Sequence, residues 1–312
     1  NNQTGFKLLI GWIKKHTKEQ RLPLVIVMEA TGVYYESCAL SLSLAGYYVS
    51  VILPNKAKKY LQATGLKTKN DKIDAKGLSR MAAEQALPQW QPMSEFFFAL
   101  RAMTRQLQNL QETKTVFNNQ LHAVQHSMYQ SKLVTKQLKD LILKIEKQIE
   151  TVQQAIEKHL YADKEIKAQC ERMCSIKGVG ITTVAVILAE TNGFALFENT
   201  RQLISYAGYD VLENQSGKRN GRTRISKKGN SRIRRILHLP AFNMITYKVA
   251  PFINLYNRTY EKHRIKMKSY VAVQKKLLVI LYTLWKRNEP FKTELFAEAE
   301  GGAVSRSGFV EA

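Results

Sequence analysis

The sequence predicts an α/β domain over residues 1–92, a long helical coiled-coil segment over 93–165 and a mainly α C-terminal domain over 166–300. A disordered tail is expected at 301–312. Three observations carry this division. Apolar runs of strand length alternate with helical patterns in the first part. From Ser94 onward a long stretch has neither Gly nor Pro and repeats Leu, Ile and Met at three- and four-residue steps. After Cys174, glycine-punctuated turns separate short apolar helices from a dense run of Lys and Arg.

The N-terminal part opens with an amphipathic helix over residues 6–13, whose basic end Lys14-Lys15-His16 suits the negative end of a helix dipole. Residues 24–28 (Leu-Val-Ile-Val-Met) are continuously apolar, as in a strand buried on both faces within an α/β sheet. A helix over 34–45, a break at Gly46 and a second apolar strand over 47–53, stopped by Pro54, complete a βαβ unit. Ligand groups in open α/β sheets sit at the carboxyl ends of strands, and Glu29 occupies that place. A carboxylate there is costly unless paired, hydrogen-bonded or metal-bound, although it also suits the cap of a helix starting near Thr31. Residues 55–70 carry Lys56, Lys58, Lys59, Lys67 and Lys69 and read as a loop or short helix touching a phosphate backbone.

Asp71 and Asp74 then open an amphipathic helix extending to about residue 86. At a spacing of three they share one helix face, which suits two carboxylates gripping a hard cation such as Mg²⁺. The simpler reading is an acidic first turn complementing the helix dipole.

Two long helices, an antiparallel pair bent near residues 127–131, fit the stretch from Ser94, with a scaffold or dimer-forming role. In the C-terminal part, Lys177-Gly178-Val179-Gly180 before an apolar helix (182–189) matches the hairpin of helix-hairpin-helix DNA binders, whose backbone N–H groups meet a phosphate. Residues 216–235 then carry Lys and Arg with no acid, and Lys218, Arg219, Arg222, Arg224, Lys227, Lys228 and Arg232 are the expected phosphate contacts. Residues 266–276 read as a Lys-rich member of a helix pair, followed by a separate apolar helix over 277–285. Tyr256, Tyr260 and Arg264 have the spacing to stack on bases, with packing the simpler role.

Over 312 residues, Lys and Arg number 48 against 25 Asp and Glu, a formal excess of +23, which calls for a polyanionic partner. No apolar run reaches membrane-spanning length and no secretory signal opens the chain, so a cytoplasmic, non-membrane protein is expected. Cys38, Cys170 and Cys174 lack the number and spacing of a disulfide framework or zinc site and read as reduced thiols.

Several blocks in order carry a family likeness: Met28-Glu29-Ala30-Thr31-Gly32, Pro54-Asn55-Lys56, Asn70-Asp71-Lys72-Ile73-Asp74-Ala75, Ile176-Lys177-Gly178-Val179-Gly180, Tyr206-Ala207-Gly208, Gln215-Ser216-Gly217 and Ile225-Ser226-Lys227-Lys228-Gly229-Asn230. They resemble the DEDD transposases of bacterial insertion sequences, relatives of Piv-type DNA invertases. The resemblance implies an RNase H/RuvC-like N-terminal domain, a coiled-coil insertion and a C-terminal transposase domain. Its acidic tetrad maps to Glu29, Asp71 and Asp74 as catalytic Mg²⁺ ligands, while its first aspartate lies on an opening strand that would precede Asn1, leaving the N-terminal domain truncated at its start. It also implies a catalytic serine, mapped to Ser216 ahead of Ser226 and Ser231, and a site to which the two domains contribute. The implied partners are element and target DNA and a structured guide RNA, with the protein a homodimer or homotetramer. Two alternatives remain open here: an RNase H-like nuclease of the junction-resolvase type, and a catalytically inactive nucleic-acid-binding remnant.

Overall fold

A computed structural model describes residues 1–17, 23–65, 70–212, 215–216, 219–221, 223–289 and 291, and of 215–216 and 219–220 the backbone alone. Lys67, Lys69, Lys218, Arg222 and the 301–312 tail, all singled out by the sequence, lie outside the described residues. The chain divides into two compact units, residues 1–92 and 93–312.

The first unit begins with α1 (Gln3–His16), capped by Asn2. Strand β1 (Val25–Glu29), α2 (Glu36–Leu44) and β2 (Tyr48–Ile52) follow, then α3 (Pro54–Ala63) and α4 (Asp71–Glu84). The strands run parallel, with Val25 opposite Tyr48 and Glu29 opposite Ile52. Period-two alternation splits the two faces. Ile26, Met28, Val49 and Val51 pack with Ile13 of α1 and Ala39 and Leu42 of α2. Val27 and Ile52 pack on the other face with Ala57 of α3 and Leu78 and Met81 of α4.

β1 departs from the sequence reading in one respect. Its five residues are half-buried rather than fully buried, and among the described residues it pairs only with β2. Helices cover its faces, while one edge has no described strand partner. The basic stretch after Pro54 is helical rather than a loop, with Pro54 in the first turn and Lys56, Lys58 and Lys59 exposed.

The second unit starts with α5 (Glu95–Gln125) and α6 (Lys132–Tyr161), each begun by a serine N-cap, Ser94 and Ser131. Contacts at the base and near mid-length fix an antiparallel register. His159 Nε2 meets the Phe96 carbonyl oxygen at 3.0 Å, and Lys114 pairs with Glu146 at 2.8 Å. Helices α7 (Lys164–Cys174), α8 (Ile181–Thr191) and α9 (Thr200–Ala207) follow. Then come the two-residue strands β3 (Val211–Leu212), β4 (Gln215–Ser216), β5 (Arg219–Asn220) and β6 (Arg224–Ile225). Helices α10 (Ser231–Ile236), α11 (His238–Thr246), α12 (Ala250–His263) and α13 (Lys266–Arg287) complete the unit.

Helix α8 is apolar almost all round and is buried from Thr183 to Thr191 except at the half-buried Val186, as such a helix must be. Leu100 and Leu107 of α5 and Ile156 and Leu160 of α6 join the same core, so the base of the long hairpin belongs to it. Residues 266–276 and 277–285, expected as two helices, form the single helix α13. Its Lys-rich start and its apolar end, including Leu277, Leu278 and Leu281, are continuous because no Gly or Pro interrupts them. Burial raises the thiol pKa of Cys170 to about 12 and that of Cys174 to about 11, and both cysteines are free.

Candidate active site and nucleic-acid interface

In the first unit, Glu29 ends β1 and pairs in register with Ile52. Alternation puts it on the face of Val27, the face against which α4 packs. Thr31 Oγ1 donates to Glu29 Oε1 at 3.0 Å, so this half-buried carboxylate keeps a hydrogen bond. Asn70 fixes where α4 starts, its Oδ1 accepting from the Ile73 amide at 2.9 Å. That cap sets Asp71, exposed, and Asp74, half-buried, in the first turn. The elements bearing the three acids are therefore packed together. Their oxygen donors suit a hard divalent cation. Among the described residues, however, no three His, Cys, Asp or Glu side chains form a ready-made metal cluster.

In the second unit, the tract around Ser216 contains two antiparallel strand pairs. β3 pairs with β6, Val211 opposite Ile225. Farther along, β4 pairs with β5, Gln215 opposite Asn220 and Ser216 opposite Arg219. Ser216 thus sits in the outer rung of a ribbon, with residues 217 and 218 between it and Arg219 in the sequence.

The base of the ribbon is tightly built. The amides of Ser226, Lys227 and Asn230 donate to the carbonyls of Asp210, Gly208 and Tyr206 at 2.7, 3.1 and 2.7 Å. A Cβ on Gly229 would collide with the Tyr206 carbonyl oxygen and stand 2.6 Å from the Gly208 nitrogen. Backbone cannot yield there. Gly229→Ala is expected to cost roughly 1–3 kcal/mol, read as a lower thermal midpoint of the second unit. Gly180→Ala, where nothing lies within 4 Å, is the near-neutral comparison.

Glu190, which the sequence reading did not single out, ties this base to the core. The residue is 3% exposed. Its carboxylate accepts from Arg105 Nε at 2.9 Å, from Arg105 Nη2 at 3.1 Å and from Asn230 Nδ2 at 2.7 Å. Burial pushes its pKa up, but the hydrogen bonds of Arg105 and Asn230 and the charges of Arg105 and Arg232 hold it below the ordinary value. The reasoning that singled out Glu29, an acid closing an apolar run, applies equally to Glu190 at the end of α8.

The expected phosphate contacts differ in their placement. Arg224, Lys227 and Lys228 are exposed, Lys227 with a left-handed φ of 53°. Arg232 instead lies 3.9 Å from Glu190 and is engaged in the core network. Between α7 and α8, Gly178 takes a φ of 100° with its Cα packed toward Asn243 and Met244 of α11, a conformation that favours Gly. Gly180 caps α8 from an extended conformation, and Lys177 stands 4.9 Å from the Tyr247 ring.

An α/β unit bearing three carboxylates on packed elements, followed by a basic helical unit, is the organisation of a nucleic-acid-processing protein. A family profile described as Transposase IS116/IS110/IS902 family matches residues 170–257, and a second, the DEDD transposase profile of IS110 elements, matches residues 1–129. The chain belongs to this IS110/IS116 transposase family. It is 27% identical over 295 residues to the pilin gene-inverting protein of Moraxella bovis, spanning 93% of this chain and 88% of that protein. The pilin gene-inverting protein of Moraxella lacunata matches to the same extent. A probable family 20 transposase of Pseudomonas aeruginosa is 21% identical over 243 residues, 69% of each chain. No helix among the described residues is long and apolar enough to cross a membrane.

Proposed function

We propose that this chain cuts and rejoins DNA of an insertion element with a serine nucleophile, Ser216, and a Mg²⁺-binding acidic set of Glu29, Asp71 and Asp74. The N-terminal unit is read as an RNase H/RuvC-like domain, and a structured guide RNA would supply sequence choice. The observation that carries the reading is Ser216 opposite Arg219 in the outer rung of a ribbon within the basic tract. DNA phosphates would be drawn there by charge.

The chemistry balances without an energy cofactor. The Ser216 hydroxyl oxygen forms a bond to phosphorus as its proton leaves to a base, and the P–O bond to one deoxyribose oxygen breaks. That oxygen departs with a proton. The phosphoserine ester conserves the phosphodiester, so a DNA hydroxyl can attack it, restore the serine and complete exchange. Bound Mg²⁺ would offset charge on the scissile phosphate.

The test uses the full chain, cognate end-labelled DNA and Mg²⁺. A denaturant-stable protein–DNA adduct is expected, absent in Ser216→Ala, with recombination lowered roughly 10³-fold or more. Ser226→Ala and Ser231→Ala should keep the adduct. Cleavage without any adduct, or an adduct persisting in Ser216→Ala, overturns the serine assignment.

A further inference from the structure

We propose that α11, α12 and α13 carry a stacking surface for the unpaired bases of a single-stranded nucleic acid, built from residues other than the acidic set and the ribbon. A row of rings links the three helices. The Phe242 ring of α11 lies 5.8 Å from Tyr270 of α13, with planes 30° apart. Tyr270 lies 5.0 Å from Tyr256 of α12. Tyr256 and Tyr260 follow at 6.1 Å with planes only 12° apart. The Arg264 guanidinium closes the row, 6.0 Å from the Tyr260 ring.

Packing accounts for only part of this row. Tyr256 leans on the main core, but Phe242 is 50% exposed and Tyr260 and Tyr270 are half-buried. Leu239 and Met267, also exposed, extend the apolar surface. An apolar patch of this kind on a highly charged protein marks a binding surface.

Charge selects the occupant. Residues 258–268 contain Arg258, Lys262, Arg264, Lys266 and Lys268 with His263, against the single acid Glu261. Aromatic planes bordered by cations match what single strands offer: base faces on a phosphate backbone. A base-paired duplex hides those faces. The same helix α11 also meets the Gly178 turn, the segment expected to hold a phosphate, through Asn243 and Met244.

Binding is measured by fluorescence anisotropy with the full chain, in EDTA to prevent cleavage. A failed nucleophile assignment therefore leaves the result intact. The probes are oligo(dT), oligo(U) and a mixed-sequence duplex. Phe242→Ala should weaken single-strand binding about five- to hundredfold, the loss of one ring–base stack, with an unchanged unfolding midpoint. Phe242→Trp should stay within about twofold, and Arg264→Ala should lower the salt slope by about one. Tighter oligo(dT) assigns a displaced DNA strand and tighter oligo(U) an RNA segment, and either supports the surface. Three results overturn it: unchanged single-strand affinity in Phe242→Ala, full affinity in Phe242→Leu, which keeps apolar area without a ring, or loss of self-association alone. Preferential binding of anionic lipid vesicles over oligonucleotides also overturns it.

Discussion

Replacing Glu190 with alanine is expected to destabilise the second unit by about 3 kcal/mol, because the charge-assisted hydrogen bonds that Arg105 and Asn230 make to a buried acceptor are lost. Only the Glu190 side of the pair is buried, since the Arg105 side chain is 38% exposed and can be hydrated. The substitution leaves the Arg105 fork without its carboxylate and the Asn230 amide without its acceptor, and Asn230 also caps α10 through the Arg232 and Ile233 amides. A fall in the thermal midpoint of roughly 6–12 °C follows for a unit of this size. Glu190→Gln, which retains an acceptor, should lose less. The pH dependence has a definite sign. The folded pKa of Glu190 lies below its unfolded value of 4.5, so its contribution is fully present above that value and is lost as pH falls through the folded pKa. Wild-type protein should therefore lose stability below about pH 4.5, and Glu190→Gln should show a shallower acid slope. Identical midpoints for the three proteins would show that the network contributes nothing.

Much of the scaffold was legible because its signals are local. Asn70, Ser94 and Ser131 each precede a helical pattern and each caps a helix through a nearby amide. The glycine- and proline-free stretch gave the antiparallel hairpin, and the two apolar runs gave the parallel strand pair. The ribbon was not legible in the same way. Its strands are two residues long, rich in Arg, Asn and Gln, and show no hydrophobic alternation. What closes its base is the approach of segment 206–210 to segment 226–230, which depends on Gly208 and Gly229 meeting about twenty residues apart. Glu190 escaped for a related reason, since its main partner, Arg105, is distant in sequence and belongs to the hairpin that looked like a separate scaffold. For the acidic set, position and spacing made Glu29, Asp71 and Asp74 candidates, and the family resemblance joined them into one set. That Glu29 lies on the sheet face against which α4 packs follows only once the register of β1 on β2 and the packing of α4 are known.

Asp74→Asn is expected to reduce Mg²⁺-dependent DNA cleavage at least about 100-fold, since even groups that merely support metal ligands cost 10- to 100-fold when removed. Stability should barely change. Asp74 is in the first turn of α4, where an acid offsets the helix dipole by only about 0.3–1 kcal/mol. This contrast separates the two roles the residue can have. A purely structural acid predicts a small loss of stability and full activity, whereas a metal ligand predicts near-intact folding and lost activity. Asp71→Asn and Glu29→Gln should behave alike. For Glu29 the amide keeps an oxygen able to accept from Thr31 Oγ1, so the local turn survives while the charge is lost. Raising Mg²⁺ should partly restore any variant that retains two of the three carboxylates, because a weakened site fills at higher cation concentration. Cleavage assays across a Mg²⁺ series, read beside thermal midpoints, decide the matter. Full activity in all three charge-neutral variants would remove the acidic set from the mechanism and leave Asp71 and Asp74 as a helix-start pair.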